Sequence, residues 1–434
     1  MRWLAFAIVA GSATAGCAGE TGTISLELVT APGSQLIDSV ARIRLTVTDP
    51  HAVLEAMRGP DGFNLAIDVD ATGDSGSLIV EGFDANNTLI ASGMSPPFPV
   101  AAIDARIRIY VAPPMSIARS PSSTALAVSD LAVAALPFRA MFAGGRDVNG
   151  APVAAVGVYN AFDHTITAGV DTPFARGGIA LAPNVVNTVY MFGGTAADGS
   201  DTGTLVRYDT TAEPNGAVTT IGDQPALARS HQLALRIGAD RFLITGGPPL
   251  VLEAGVLTPR ADLAALPPAG AAVLTTTGEY AAVLAGADGV IWFHDDQFTI
   301  TPGDRDRAGV TALPDGKIAI AGGGTVDTAR DLVIVDPLTG ASTVTSSALA
   351  TARFSPAVAA TQRHLVIAGG VDQLGAPIAT AEVFDAATLA RLAELAVEPR
   401  AGAVAVALPT DQVLIAGGAS VTDAIELFTP GPPP

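Results

Sequence analysis

Cysteine is nearly missing. The 434 residues hold one, Cys17, so the rest of the chain has no thiol for a disulfide, a thiolate metal site or a cysteine nucleophile. Lysine is as scarce, with Lys317 alone, and the formal charge is −19. That charge argues against nucleic acid or an anionic lipid surface as the main partner, because both need clustered cations. Aromatics make up 5%. The histidines, His51, His164, His231, His294 and His364, include no pair at i, i+2 or i+4, so no local zinc motif exists. No metal and no cofactor is expected.

What is present in excess is Ala, Gly, Val and Pro, with 49% hydrophobic residues, enough apolar surface to offset the entropy of ordering. The start, "MRWLAFAIVAGSATAGCAGE", places Arg2 before an apolar run from Trp3 to Ala10 and then small residues, the order of an export signal. The run is too short to span a bilayer, which takes about 20 apolar residues. Cys17 directly after Thr14-Ala15-Gly16 resembles a bacterial lipoprotein signal, which implies lipidation of Cys17 and a leader covering residues 1–17. Soluble secretion, with cleavage at Ala13-Thr14-Ala15, is the alternative. The expected location is the outer membrane or periplasm, with the membrane touched through the lipid alone.

From Thr23 onward, short alternating runs are separated by turn-rich pieces such as "DATGDSG" and "DANN". In "ARIRLTV", Ile43, Leu45 and Val47 share one face and Arg42, Arg44 and Thr46 the other, the period of a half-buried strand. Six or seven such runs predict an immunoglobulin-like β-sandwich over residues 22–113.

Beyond it the chain repeats. Double glycines end apolar runs at Gly144-Gly145, Gly193-Gly194, Gly246-Gly247, Gly322-Gly323, Gly369-Gly370 and Gly417-Gly418, with Gly286 filling the longest gap. A phosphate-cradling loop does not recur seven times, so the doublets are punctuation. Aromatics keep phase with them at Tyr159, Tyr208, Phe293, Phe384 and Phe428, and an arginine stands upstream at Arg176, Arg229, Arg307, Arg353 and Arg400, 17, 17, 15, 16 and 17 residues before a first glycine. The unit reads as four strands. It resembles the kelch repeat, a four-stranded propeller blade of about 50 residues, and the resemblance covers roughly residues 118–434. It implies an all-β chain in which a seven-bladed, or six-bladed, propeller follows the sandwich. The last blade has three strands of its own, and "PSSTALAV" is expected to supply the fourth.

If the first strand of each blade lines the axis, the five arginines would ring one mouth and attract carboxylate or phosphate, since local field outweighs net charge within about 8 Å. The alternative is that each guanidinium is tied to a neighbouring carboxylate or carbonyl. "DVDATGD" from Asp68 has calcium-loop spacing but lacks the Glu such loops carry at the twelfth place, and "WFHDD" at Trp292 reads as a solvated strand end. Asp209, Asp336 and Asp385 are read as turn-shaping. The copper–radical chemistry of galactose-oxidase-like propellers needs a cysteine that this body lacks. Sialidase S-x-D-x-G-x-T-W boxes and a G-x-S-x-G elbow are also missing. A non-enzymatic module binding a protein, peptide or glycan is therefore expected. A carbohydrate-active enzyme built from scattered residues and a structural spacer of the cell envelope are the alternatives.

Overall fold

Alternation decides the N-terminal strands. Ile43, Leu45 and Val47 are 1%, 1% and 2% exposed, while Arg42 and Arg44 on the opposite face pair with Glu55 and Glu81. The computed structural model describes residues 21–433 apart from 61, 64–65, 71–74, 100–104, 124–128, 185–186, 213–214, 276, 296 and 419–424. Cys17 and the leader therefore lie outside the described residues.

Two sheets make the N-terminal body. One places Thr21–Val29 between Ala66–Asp70, antiparallel, and Ala105–Tyr110, parallel. The other runs in the order Ala52–Met57, Arg42–Val47, Leu78–Phe83, Leu89–Met94. Ile43, Leu45, Leu78 and Val80 from the second sheet and Ile107 and Ile109 from the first share one buried cluster. The strand Ala52–Met57 has no counterpart in the sequence reading, because its mostly exposed residues give no alternation to detect.

Downstream, seven four-stranded antiparallel sheets follow one another among the described residues. Their first strands are Ala132–Leu136, Ala180–Pro183, Leu233–Gly238, Ala269–Leu274, Gly309–Ala312, Ala357–Ala360 and Val404–Ala407. Each first strand contacts the first strand of the next sheet, and Val404–Ala407 contacts Ala132–Leu136, so the succession closes on itself. An all-β chain of this kind fits a β-propeller. The seventh sheet is completed by Ser116–Arg119, which pairs antiparallel with Glu426–Thr429. The closing strand therefore comes a few residues before "PSSTALAV", of which residues 124–128 lie outside the described chain.

Burial follows from stacking. Second strands such as His364–Ala368 and Val413–Ala416 are buried along their whole length, because neighbouring sheets cover both faces. The outermost Ser342–Thr345 is exposed throughout. Apolar clusters are shared between adjacent sheets: Met141 and Val156 of the first pack with Val189 and Tyr208 of the second. Tyr159, Tyr208, Phe384 and Phe428 are each at most 1% exposed, and burial of one such ring contributes about 2–3 kcal/mol.

The two bodies are joined through apolar and polar contacts. Tyr110 and Ala112 are buried with Phe142, Tyr159 and Leu427. The Tyr110 backbone N–H donates to His164 Nε2 at 3.2 Å, and the His164 Nδ1 lies 2.7 Å from the Tyr159 hydroxyl. Since Nε2 accepts, the proton sits on Nδ1 and the imidazole is neutral. Burial pushes the His164 pKa down to about 4.

Candidate functional site

The glycine doublets mark where each second strand ends. Gly369 and Gly370 have φ of +58° and +84°, left-handed values that side-chain-bearing residues adopt only at a cost. The N–H of the second glycine donates across to the next sheet: Gly145 to the Arg176 carbonyl, Gly194 to Arg229, Gly323 to Arg353 and Gly370 to Arg400, at 2.9–3.0 Å. The side chains of the same arginines reach the doublets of the sheets they lead into. Nη1 of Arg176, Arg353 and Arg400 donates to the carbonyl of Gly193, Gly369 and Gly417 at 3.1, 2.9 and 2.8 Å. Backbone and guanidinium together fasten neighbouring sheets, which accounts for the recurring spacing of Arg and Gly-Gly.

The five arginines consequently do not form one solvent-facing ring. Arg176, Arg353 and Arg400 are 4%, 0% and 0% exposed; Arg176 donates to carbonyls, and Arg353 and Arg400 to carbonyls and carboxylates. Arg229 is half-buried and donates Nε to Gln232. Arg307 is exposed, with its guanidinium 5.1 Å from the Phe354 ring centre. In that sheet the counterpart of the other four is Arg305, which the sequence reading missed. It lies 17 residues before Gly322, is buried, and pairs with Asp331 at 3.1 Å.

Arg307 belongs to a different series. Asp130, Gly178, His231, Arg307, Ser355 and Gly402 each precede a first strand by two residues, and all six have φ between +50° and +70°. They are linked in part by backbone bonds, His231 N–H to Gly178 O and Ser355 N–H to Arg307 O. Because first strands line the axis, this ring of left-handed residues frames its glycine end. There Asp130 lies 3.8 Å from His231 Nε2 and 3.4 Å from Arg146 Nε. The Asp130 partner holds His231 above the usual imidazole range, and His231 holds Asp130 below the usual carboxylate range.

The opposite end of the axis, where first strands turn into second strands, opens into a cavity of about 570 Å³. Leu136-Pro137, Leu313-Pro314 and Leu408-Pro409 form much of its wall, with Ala312, Ala360 and Ala407 behind them and Thr361, Gln362, Arg363 and Asp411 as the polar contribution. No aromatic side chain is among the described residues lining it. Met94 of the N-terminal body and Pro433 of the C-terminal segment reach its rim. Arg363 fixes that segment: Nη2 donates to the Gly431 carbonyl at 2.8 Å and Nη1 to Pro432 at 3.1 Å, while Nε donates to Asp411 at 2.6 Å. Three of the four Ala-Leu-Pro tripeptides in the sequence, at Ala135, Ala312 and Ala407, lie on this wall, and the fourth, at Ala265, pairs instead with Gly247, so the tripeptide alone does not mark the site.

Other chemistry-bearing residues fall elsewhere. Glu279, His294 and Asp295 bring one ligand-type atom each to within 4.8 Å of one another, at the ends of the two inner strands of the fourth sheet, beside Arg241 and Tyr280. "WFHDD" thus gains a partner, Glu279, that sequence distance concealed. Asp209, Asp336 and Asp385 accept backbone N–H groups two residues on and so shape turns. Residues 71–74 of "DVDATGD" lie outside the described chain. No protein-family model matches the sequence, and no curated protein matches it.

Proposed function

We propose that this chain is an exported, lipid-anchored protein of the cell envelope. An immunoglobulin-like sandwich carries a seven-bladed kelch-type propeller, which acts as a non-catalytic binding module for an extended protein or peptide segment. Cys17 is the residue that carries the lipid, and the outer membrane or periplasm is the location. Arg307, with His231, Asp130 and Ser355, forms a second, polar contact surface at the glycine end of the axis.

The observation that carries this reading is the seat of the chain's own Gly431-Pro432-Pro433 at the rim of the axial cavity. A cavity of about 570 Å³ with an apolar wall and few polar groups has the size and character of a ligand site. Proline-rich segments suit it because their extended form is preset and leaves carbonyls free to accept, as Pro432 does from Arg363. A peptide is favoured over a glycan because the lining lacks the flat aromatic faces on which sugars stack. Catalysis is disfavoured because Asp411 is the one carboxylate among the described lining residues, and the histidine nearest it, His364, is buried outside the lining with Nδ1 4.0 Å away.

Fluorescence anisotropy with synthetic proline-rich peptides tests the proposal. Removal of residues 430–434 is expected to raise affinity by vacating the rim, and Arg363→Ala to lower it about tenfold, the loss of roughly one charge-assisted hydrogen bond. Failure of both proteins to bind any such peptide would count against a peptide-binding axis.

A further inference from the structure

Each buried arginine of the repeat needs an acceptor for its Nε side, and the sheets meet that need differently. Arg353 Nε donates to Glu382 at 3.3 Å and Arg400 Nε to Glu426 at 3.1 Å. Arg305 reaches Asp331 through Nη2, and Arg229 Nε reaches the Gln232 amide oxygen at 2.8 Å. Glu382 and Glu426 hold the same register, opposite Ile367 and Ile415, each two residues before a first glycine. In the second sheet that register, opposite Met191, is filled by Val206.

Arg176 is therefore left without the carboxylate that Arg305, Arg353 and Arg400 have, and without the amide oxygen that serves Arg229. It is 4% exposed. Nη1 donates to the Gly193 and Thr204 carbonyls, but the buried Nε has no hydrogen-bond partner among the described residues. The Phe174 ring lies 4.8 Å from Cζ. Beside the guanidinium is a small cavity lined by Gly144, Thr172, Phe174, Ile179, Met191 and Val206, with room for one water-sized occupant. Burial lowers the Arg176 pKa to about 10, offset in part by Asp223, so the side chain is a cation at neutral pH. An uncompensated buried charge is costly. A neutral water would satisfy the Nε–H but leave the charge unbalanced.

We propose that this cavity binds a small monovalent anion, chloride or a halide of similar size, held by Arg176 Nε where the sixth and seventh sheets place a glutamate carboxylate. The anion completes in the second sheet an ion pair that the fifth, sixth and seventh sheets build from their own residues. Because it binds the folded chain, it stabilises that state by mass action. The inference stands apart from the peptide-binding axis.

The test is the thermal midpoint of the full-length protein during a chloride titration, with sodium gluconate holding ionic strength constant. The midpoint is expected to climb with chloride and to saturate. Val206→Glu, which copies Glu382, should abolish the dependence. Val206→Leu, which fills the cavity without a charge, should abolish it as well and serves if the glutamate variant does not fold. Crystals soaked in bromide should show an anomalous peak in contact with Arg176 Nε. A midpoint indifferent to chloride in the unaltered protein, or a soaked crystal with no peak there, overturns the proposal.

Discussion

Arg353 and Glu382 form an ion pair at 3.2 Å in which neither side chain is exposed to solvent. The carboxylate also accepts the backbone N–H groups of Ala350 and Thr351, so it ties the segment leading into the sixth sheet to the third strand of that sheet. Glu382→Gln would leave the guanidinium without its counter-charge. Loss of one partner of a buried pair costs about 3–5 kcal/mol, which denaturant unfolding would read directly. A loss under about 1 kcal/mol, the range of exposed pairs, would show that the pair does not fasten the sheet.

Gly370 and Gly375 have nearly the same φ, +84° and +83°, but different surroundings. A Cβ on Gly370 would lie 2.7 Å from the Phe354 carbonyl oxygen, whereas one on Gly375 would meet nothing within 4 Å. Gly375→Ala is therefore expected to cost only the left-handed penalty of about 1–2 kcal/mol. Gly370→Ala adds a clash with the backbone segment that leads into the first strand of its own sheet, so its loss of stability should be clearly larger. Equal losses would contradict the close backbone approach at the doublet.

His164 makes the junction between the two bodies sensitive to acid. Its folded pKa, about 4, lies below the unfolded value of about 6.5, so between those limits the unfolded chain binds the extra proton. Stability should accordingly rise as pH increases from 4 to 6.5 and flatten above, by roughly 3 kcal/mol at most from this residue. His164→Gln should remove that part of the slope in a series of unfolding curves. An unchanged slope would mean that the imidazole is protonated in the fold.

The pair Asp130 and His231 titrates with the opposite sign for the histidine. Its raised pKa gives stability that is present below the unfolded histidine value and lost as pH rises through the folded one. The lowered Asp130 pKa gives stability that is present above the unfolded aspartate value and lost as pH falls through the folded one. Both side chains are more than a third exposed, so the contribution is held to about 0.5 kcal/mol or less by solvent screening. Titration of the His231 ring by NMR should show a raised midpoint that returns toward the usual imidazole value in Asp130→Asn.

Much of this architecture was legible because a few positions have no chemical substitute. Gly369-Gly370 recurs in kind because both residues are left-handed and closed in by backbone, Gly369 by Arg400 of the next sheet and Gly370 by Phe354 in the segment leading into its own. Tyr208 and Phe384 recur because each fills the same seam. The arginines were visible for the same reason, but their role was not. Counting residues cannot tell a guanidinium aimed at an axis from one folded back on Gly417 O. In "DRDRAG" two arginines two places apart compete, and Arg305 takes the buried place assigned in sequence to Arg307. Glu382 and Glu426 escaped notice because they lie 29 and 26 residues beyond their partners, and spacing from the glycine doublet differs between them. The closing strand Ser116–Arg119 is short and half-exposed, with no alternation to separate it from a linker.

The claim on which the functional reading rests is that a partner segment enters the axis at the end framed by the Leu-Pro turns. A photoreactive amino acid at Gln362, exposed on the rim of the cavity, tests it against the same group at Thr343 on the exposed outer strand. Irradiation of intact cells should give a discrete adduct from Gln362, lost in Arg363→Ala, and none from Thr343. Adducts of equal yield from both positions, or from Thr343 alone, would contradict the account.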